Sequence, residues 1–140
     1  MRNLSILLVL MIVFGSCKKV SVQEIELPNG FIENDWQAAV DAAQTHDKNI
    51  FLHLYADWCT HCANFKADVL NDTEVEEYMF SNFIGSALDT EQQQGIDIVN
   101  QYNLQGHPHF AVISKDAVLV GNHLGVLSKE DFLTWIEDYE

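Results

Sequence analysis

The 140-residue sequence is poor in basic residues, cysteine and proline, with seven Lys and Arg, three Cys and two Pro. Because 21 Asp and Glu outweigh the basic residues, the formal net charge is −14. This charge argues against binding to nucleic-acid phosphates, and against docking on anionic lipid through a basic surface. Three cysteines are too few for a disulfide scaffold, and the absence of an internal repeat excludes solenoids and propellers. The hydrophobic share of 48% is nevertheless that of a globular chain, and the length fits one domain.

The longest apolar run in the sequence lies at residues 4–14, next to the N-terminus. Its eleven residues are too few for a transmembrane helix, which needs about 20. The run is preceded by Arg2 and followed by two small residues and then Cys17, the layout of a secretory signal with a small-residue cleavage site. The alternative is an uncleaved anchor helix, for which the two lysines that come next would be suitable flanks.

A cysteine directly after the cleavage site resembles the lipobox of bacterial lipoproteins, although Phe14 stands where that pattern prefers Leu. The resemblance implies that Cys17 becomes the lipidated first residue of the mature chain. We therefore expect residues 1–16 to be a lipoprotein-type signal peptide, residues 17–30 a polar tether, and residues 31–140 the folded domain.

The rest of the sequence alternates between helix and strand patterns. Residues 49–56, NIFLHLYA, are almost continuously apolar, as expected of a central strand buried on both faces. Capping residues and helical spacing predict helices that begin at Asn34 or Asp35, at Cys59 (to about residue 70), and at Thr73, Thr90 and Ser128. Further strands are predicted at residues 82–88, 109–113 and 118–120, with Lys115-Asp116 as a two-residue hairpin turn. In this order, strands joined by helical crossovers come first along the chain and a β-hairpin comes late, which predicts an α/β fold.

Two cysteines separated by two residues, Cys59 and Cys62, follow the strand predicted at 49–56. A thiol at a helix start lies beside unpaired backbone N–H groups and the positive end of the helix dipole, which stabilise a thiolate. The carboxyl end of a strand is also where α/β folds place their sites. The same spacing is half of a zinc site, which His ligands could complete, so a metal site stays open at this point.

Two segments, residues 50–62 (IFLHLYADWCTHC) and residues 102–110 (YNLQGHPHF), resemble the active-site run and the cis-proline loop of the thioredoxin superfamily. The likeness covers about residues 33–140 and is greatest to the thioredoxin-like domains of bacterial thiol–disulfide interchange proteins. It implies a thioredoxin-like fold, a central mixed β-sheet flanked by helices, with the CxxC at a helix N-terminus. It also implies that Cys59 is the nucleophile and Cys62 the resolving thiol.

The resemblance further implies roles for the residues around the pair. The His107-Pro108 bond should be cis, with Pro108 facing the cysteines and the His107 backbone contacting an extended substrate. Trp58 is expected to shield the pair, and His61, when protonated, to favour the Cys59 thiolate.

Two positions depart from the family pattern. Many members carry a buried Asp six residues before the first cysteine, where this chain has His53. A satisfied core histidine and a proton-transfer role are both open for it. Related interchange domains carry an acidic residue one turn beyond the second cysteine, where this chain has Lys66, expected as a solvated helix side chain.

The resemblance thus implies a lipid-anchored thiol–disulfide oxidoreductase facing the periplasm or the cell exterior. Such an enzyme needs no cofactor; its partners are protein thiols and disulfides, a redox partner protein, and the membrane through Cys17, and not nucleic acid. The alternative is a metal-binding or metal-delivery module that holds Cu(I) or Zn(II) with Cys59, Cys62 and either His61 or His107.

Overall fold

The computed structural model describes residues 30–140, so the expected signal peptide, almost all of the tether and Cys17 lie outside the described residues. The elements in chain order are β1 (Ile32–Glu33), α1 (Trp36–His46), β2 (Asn49–Tyr55), α2 (Thr60–Phe65), a π-helical turn (Lys66–Leu70), α3 (Thr73–Asn82), β3 (Phe83–Asp89), α4 (Gln93–Tyr102), β4 (His109–Ile113), β5 (Leu119–Leu124) and α5 (Lys129–Glu137). Within this part of the chain, no helix is long and apolar enough to cross a membrane.

Five strands form one mixed sheet in the order β1-β3-β2-β4-β5. β1 and β2 run parallel to β3, whereas β4 is antiparallel to β2 and β5 is antiparallel to β4. The expected thioredoxin-like α/β fold, a mixed sheet flanked by helices, is confirmed. β2 and β3 end side by side, with Tyr55 opposite Asp89, so the segments that follow both strands meet at one edge of the sheet.

Side chains of β2 alternate between two hydrophobic cores, because successive residues of a strand point to opposite faces. One core lies against α1 and α4 and receives three aliphatic side chains of β2, those of Ile50, Leu52 and Leu54. The other lies against α2, α3 and α5 and receives Phe51. This second core is rich in aromatic rings, and the centroids of Phe65 and Phe110 are 4.4 Å apart. Since His53 is two residues beyond Phe51, it faces the same aromatic side of the sheet.

Most predicted helix starts are close to the observed ones. Asp35 and Ser128 cap α1 and α5 through hydrogen bonds from backbone N–H groups three residues further along. α3 begins at Thr73 as predicted, but its cap is the preceding Asp72. The start predicted at Thr90 is wrong: α4 begins at Gln93, because the Thr90 hydroxyl donates to the Tyr55 carbonyl at 3.1 Å instead of capping a helix.

The other differences concern short or irregular segments. The sequence does not predict β1, because two residues show no period. The helix expected from Cys59 to about residue 70 divides into α2 and the π-helical turn. β5 extends to Leu124, and residues 114–118 replace the expected two-residue turn. The Ser114 N–H donates to the Val118 carbonyl across this longer connection, in which Ala117 has φ 59°.

We expect Phe51→Ala to lower the free energy of unfolding by about 3–5 kcal/mol. Phe51 is 0% exposed, and its ring lies against those of Phe31, Phe110 and Phe132. Equilibrium urea unfolding of the oxidised protein measures the loss. Val118→Ala, at a residue that is 57% exposed, is the control and should change stability by less than about 0.5 kcal/mol. Equal losses in the two variants would contradict the assigned core.

Candidate active site

The two cysteines of the CxxC form a disulfide at the beginning of α2, with Cα atoms 5.3 Å apart. Cys59 is the N-cap residue of this helix, and its sulfur accepts a hydrogen bond from the Cys62 N–H at 3.1 Å. The Cys59 N–H in turn donates to the Ala56 carbonyl at 2.9 Å, which holds the pair against the end of β2. Cys59 is 7% exposed and Cys62 is 3% exposed. The sequence-predicted pair is therefore assembled, with Cys59 the more accessible sulfur residue.

Trp58 lies at the rim of the site and is 66% exposed. Its indole N–H donates to the Glu91 carboxylate at 2.9 Å. Its ring stands edge-on to the imidazole of His107, with centroids 5.2 Å apart. These two contacts connect the segment after β2 with the segments after β3 and before β4.

The His107-Pro108 peptide bond is cis, as expected. The His107 Nε2 lies 2.8 Å from the Thr90 hydroxyl oxygen. The same hydroxyl lies 3.1 Å from the Tyr55 carbonyl, so Thr90 connects the cis-proline loop with the end of β2. The Pro108 carbonyl accepts from the Gly125 N–H at 2.9 Å, which ties the loop to the end of β5.

A cavity of about 260 Å³ lies behind the disulfide. Its lining includes both cysteines and five polar side chains, those of Glu33, His53, Tyr55, Asp57 and Lys66. His53 is 3% exposed and packs against the rings of Tyr55, Phe65 and Phe110. Its Nε2 is buried and has no hydrogen-bond partner within residues 30–140, so it is not a satisfied core histidine at that atom.

Burial and, to a smaller extent, the positive charge of Lys66 together lower the pKa of His53 from its usual 6.5 to about 4. The imidazole is therefore neutral at physiological pH. Lys66 reaches Glu33 of β1 at 3.2 Å, and both side chains are 54% exposed. An ion pair as exposed as this contributes little to stability. The pair matters for its position, because Lys66 and Glu33 line the same cavity as His53.

Two other histidines of the described chain, the candidate His61 and His109 at the beginning of β4, are not gathered into a metal site. His61 is exposed on α2. His109 is buried, and its two ring nitrogens lie within hydrogen-bonding distance of the Gln105 carbonyl and the Asn122 side-chain oxygen. These contacts connect the loop before β4 with β5. Within the described part of the chain, no group of three or more His, Cys, Asp or Glu side chains could hold a metal ion.

Sequence analysis does not identify Glu33, Thr90 or Glu91 as parts of the site. Glu33 and Glu91 lie 33 residues from the partners they contact, and Thr90 lies 17 residues from His107. No local pattern marks them, because their positions follow from the pairing of β1, β2 and β3.

The family model described as thioredoxin-like matches residues 32–115. This chain belongs to the thioredoxin-like family. The thiol:disulfide interchange protein DsbD of Neisseria meningitidis is 29% identical over 104 residues, covering 72% of this chain and 17% of that protein. The chloroplastic thioredoxin-like protein HCF164 of Oryza sativa is 32% identical over 94 residues, covering 66% of this chain and 34% of that protein. This thioredoxin-like chain thus spans at most about a third of the length of these two relatives.

The crystal structure of the oxidised C-terminal domain of Neisseria meningitidis DsbD is similar in fold, with a TM-score of 0.66 and 26% identity. The match covers 78% of this chain and 99% of that domain. Family, fold and the closed CxxC pair together identify a thioredoxin-like domain with a CxxC disulfide.

Proposed function

We propose that this protein is a lipid-anchored, extracytoplasmic thiol–disulfide oxidoreductase that exchanges disulfides with other proteins through Cys59 and Cys62. The observation that carries the proposal is the disulfide at the start of α2, with the Cys62 N–H directed at the Cys59 sulfur at 3.1 Å. A backbone N–H donor stabilises a thiolate more than a thiol, so this contact favours the nucleophilic form of Cys59 after reduction.

The exchange proceeds in two steps. The Cys59 thiolate attacks a substrate disulfide, forms a mixed disulfide and releases one substrate thiolate. Cys62 then attacks the Cys59 sulfur, closes the Cys59–Cys62 disulfide and releases the second substrate thiolate. The two electrons pass from the protein to the substrate, and the oxidised protein runs the same steps in reverse. The greater exposure of Cys59 supports its assignment as the attacking residue.

Exposed apolar side chains beside the pair supply a surface for the substrate. Trp58, Leu124 and Val126 are 66%, 57% and 52% exposed. The Leu124 side chain lies against Gly106, where an added Cβ would come within 2.9 Å of it, so the loop before His107 approaches β5 closely. An extended polypeptide lying along His107 and Pro108 would contact backbone groups of the loop and these side chains together.

The charge of the domain indicates the chemistry of its partner. Residues 30–140 contain four lysines, no arginine and 19 acidic residues, which gives a formal charge of −15. Lys48 donates to two backbone carbonyls at the end of α3, and the other three lysines pair with carboxylates, those of Glu33, Asp47, Asp72 and Glu74. Because 19 acidic residues stand against only four lysines, the electrostatic field of the domain is strongly negative. A basic substrate or redox partner protein would be attracted by it.

The metal-delivery alternative receives no support from a specific contact. In the described part of the chain, Cys59 and Cys62 do not form a cluster able to hold a metal ion with either His61 or His107. Disulfide exchange needs no such cluster.

We expect Cys62→Ala to accumulate mixed disulfides with substrate proteins, because the resolving thiol is gone while Cys59 still attacks. Cys59→Ala should accumulate almost none, since Cys62 is more deeply buried. Non-reducing gels after alkylation of the cells measure the adducts, which should disappear on treatment with a reductant. The opposite pattern, with adducts on Cys62 alone, would reverse the two roles.

We expect a Lys-flanked peptide disulfide to react several times faster than a Glu-flanked peptide of the same core at low ionic strength. The ratio should approach one at about 1 M salt, where the Debye length falls to about 3 Å. Stopped-flow release of the first thiol measures both rates. Asp57→Asn, beside the pair, should reduce the ratio more than the matched Asp116→Asn in the distant β4–β5 connection. Equal rates for the two peptides at low salt would contradict electrostatic selection.

We expect Cys17→Ala to move the protein from the membrane fraction to the soluble fraction, because lipid attachment at that thiol is the proposed anchor. Cell fractionation followed by immunoblotting measures the distribution. The thiol exchange rate of the purified variant should equal that of the wild type. A variant that stays in the membrane fraction would support the uncleaved anchor helix instead.

A further inference from the structure

β5 is the last strand of the sheet, so one of its edges faces β4 and, within the described residues, no strand lies beside the other. The Gly125 N–H donates to the Pro108 carbonyl at 2.9 Å and therefore points towards β4. Backbone groups of a strand alternate between its two edges. The N–H and C=O groups of Asn122 and Leu124 consequently point outwards, away from β4.

This outer edge has little of the protection that sheet edges usually carry. Charged side chains, proline and bulges are the common devices, because an open edge otherwise pairs with other chains. Residues 117–127 contain no Asp, Glu, Lys, Arg or Pro, although 20% of the residues in the sequence are charged. The one irregularity in the pairing of β5 with β4 lies at the Leu119 end. The edge at Asn122 and Leu124 is regular and uncharged.

The regular end of β5 is also the end beside the redox pair. The Leu124 side chain lies against Gly106 in the loop that carries the cis-proline bond. In the same loop, the ring centroid of His107 is 5.2 Å from that of Trp58, which directly precedes Cys59. A polypeptide whose cysteine is at Cys59 therefore reaches the open edge within a few residues.

The chemistry of the edge identifies what it binds. A row of backbone donors and acceptors is matched by a second extended polypeptide, which adds to the sheet as a strand. The exposed apolar side chains of Val118, Val120 and Leu124 offer contacts to apolar residues of that strand. Two copies of this domain, each with a formal charge of −15, repel each other, whereas a strand with Lys or Arg at its ends is attracted.

We propose that β5 binds an extended segment of the partner protein, next to the reactive cysteine of that partner, as a sixth strand of the sheet. The segment alternates apolar and polar residues and has Lys or Arg at its ends. The inference rests on the proposed thiol–disulfide exchange, and it adds a second point of recognition to the groups around the cysteines. Because the pairing is made by backbone groups, it admits many sequences, while the charge of the domain favours the basic ones.

The test uses the full-length reduced protein and Lys-flanked peptide disulfides of one core sequence. The short peptide has the core alone, and two longer peptides carry the extension Thr-Val-Thr-Val-Thr-Lys, one before and one after the core. Stopped-flow release of the first thiol, at concentrations well below saturation, measures the second-order rate constants. We expect one of the two extensions to raise this constant at least tenfold, because it is held along β5 while Cys59 attacks.

N-methylation distinguishes strand pairing from a general apolar contact, since it removes N–H donors without changing the charge of the peptide. The effective extension is made in two further versions, one methylated at its odd positions and the other at its even positions. Only one of these sets faces the edge of β5. We expect that version to lose at least nine-tenths of the gain in rate and the other version to retain most of it.

Val120→Lys places a charge on the open edge, at a residue that is 46% exposed. The matched control is Ile96→Lys on α4, which lies against β3, at a residue that is 39% exposed. Both changes make the domain less negative by one charge, so they weaken its attraction for basic peptides equally. We expect Val120→Lys to reduce the gain from the extension to less than threefold and Ile96→Lys to preserve it. The rate with the short peptide should change by less than twofold in both variants.

Amide hydrogen exchange locates the bound segment directly. In Cys62→Ala the mixed disulfide on Cys59 persists, so NMR spectra can compare the adducts of the short and the extended peptide. We expect the amides of Asn122 and Leu124 to exchange at least tenfold more slowly in the extended adduct. The amide of His123, which faces β4, is the internal control and should change by less than twofold.

Unchanged exchange at Asn122 and Leu124 would overturn the proposal, as would equal rate constants for the short and extended peptides. Equal losses in the two N-methylated versions, or in Val120→Lys and Ile96→Lys, would overturn it too. A dimer in sedimentation equilibrium, with both amides protected in the absence of peptide, would assign the edge to a second copy instead. If the short peptide releases no thiol, the proposed function itself fails; if it reacts and the extension adds nothing, only the present inference fails.

Discussion

The central place of β2 in the sheet determines where each group of the site lies. β2 pairs with β3 over seven residues and with β4 over five, so its backbone is hydrogen-bonded on both sides and its end is rigidly placed. The Cys59 N–H bonds to Ala56 immediately beyond that end. Because β4 is antiparallel and pairs His109 with Leu54, the cis-proline loop is delivered beside the same point. A reactive pair held by a fixed strand end needs little further ordering when the substrate arrives.

The parts of the site that the sequence predicts are those with local signals. The CxxC follows a continuously apolar strand, and Pro108 precedes another, so residue type and spacing together locate them. Thr90 shows the limit of this reasoning: its spacing to Gln93 matches a helix cap, yet its hydroxyl bonds to Tyr55 and contacts His107. That outcome depends on the side-by-side ending of β2 and β3, a long-range pairing that a window of sequence does not contain. β1 and the π-helical turn, which place Glu33 and Lys66 in the cavity wall, have no readable period either.

The domain combines a strongly acidic exterior with a cavity whose lining includes a buried, neutral imidazole. Nineteen acidic residues within 30–140 would disfavour a thiolate if their charges acted at full strength on Cys59 and Cys62. Solvent and salt screen exposed carboxylates over about 10 Å at 0.1 M, whereas charges inside the cavity are screened much less. The Cys62 N–H, which donates to the Cys59 sulfur at 3.1 Å, therefore acts on that sulfur more directly than the distant carboxylates do. The same distant carboxylates still act on a partner that approaches through solvent, where their fields add.

Placing His53 on the aromatic face of β2 has a cost that the fold must offset. A buried polar nitrogen without a partner loses its hydration, which costs about 1–3 kcal/mol when no hydrogen bond replaces it. Phenylalanine would fit the surrounding rings of Phe65 and Phe110 without that loss, as Phe51 does two residues earlier on the same face. His53 lines the same cavity as Cys59 and Cys62, so a buried, neutral imidazole stands in the surroundings of the redox pair. The aromatic neighbours fix the orientation of the ring and exclude bulk water, so solvent does not restore the hydration that Nε2 loses.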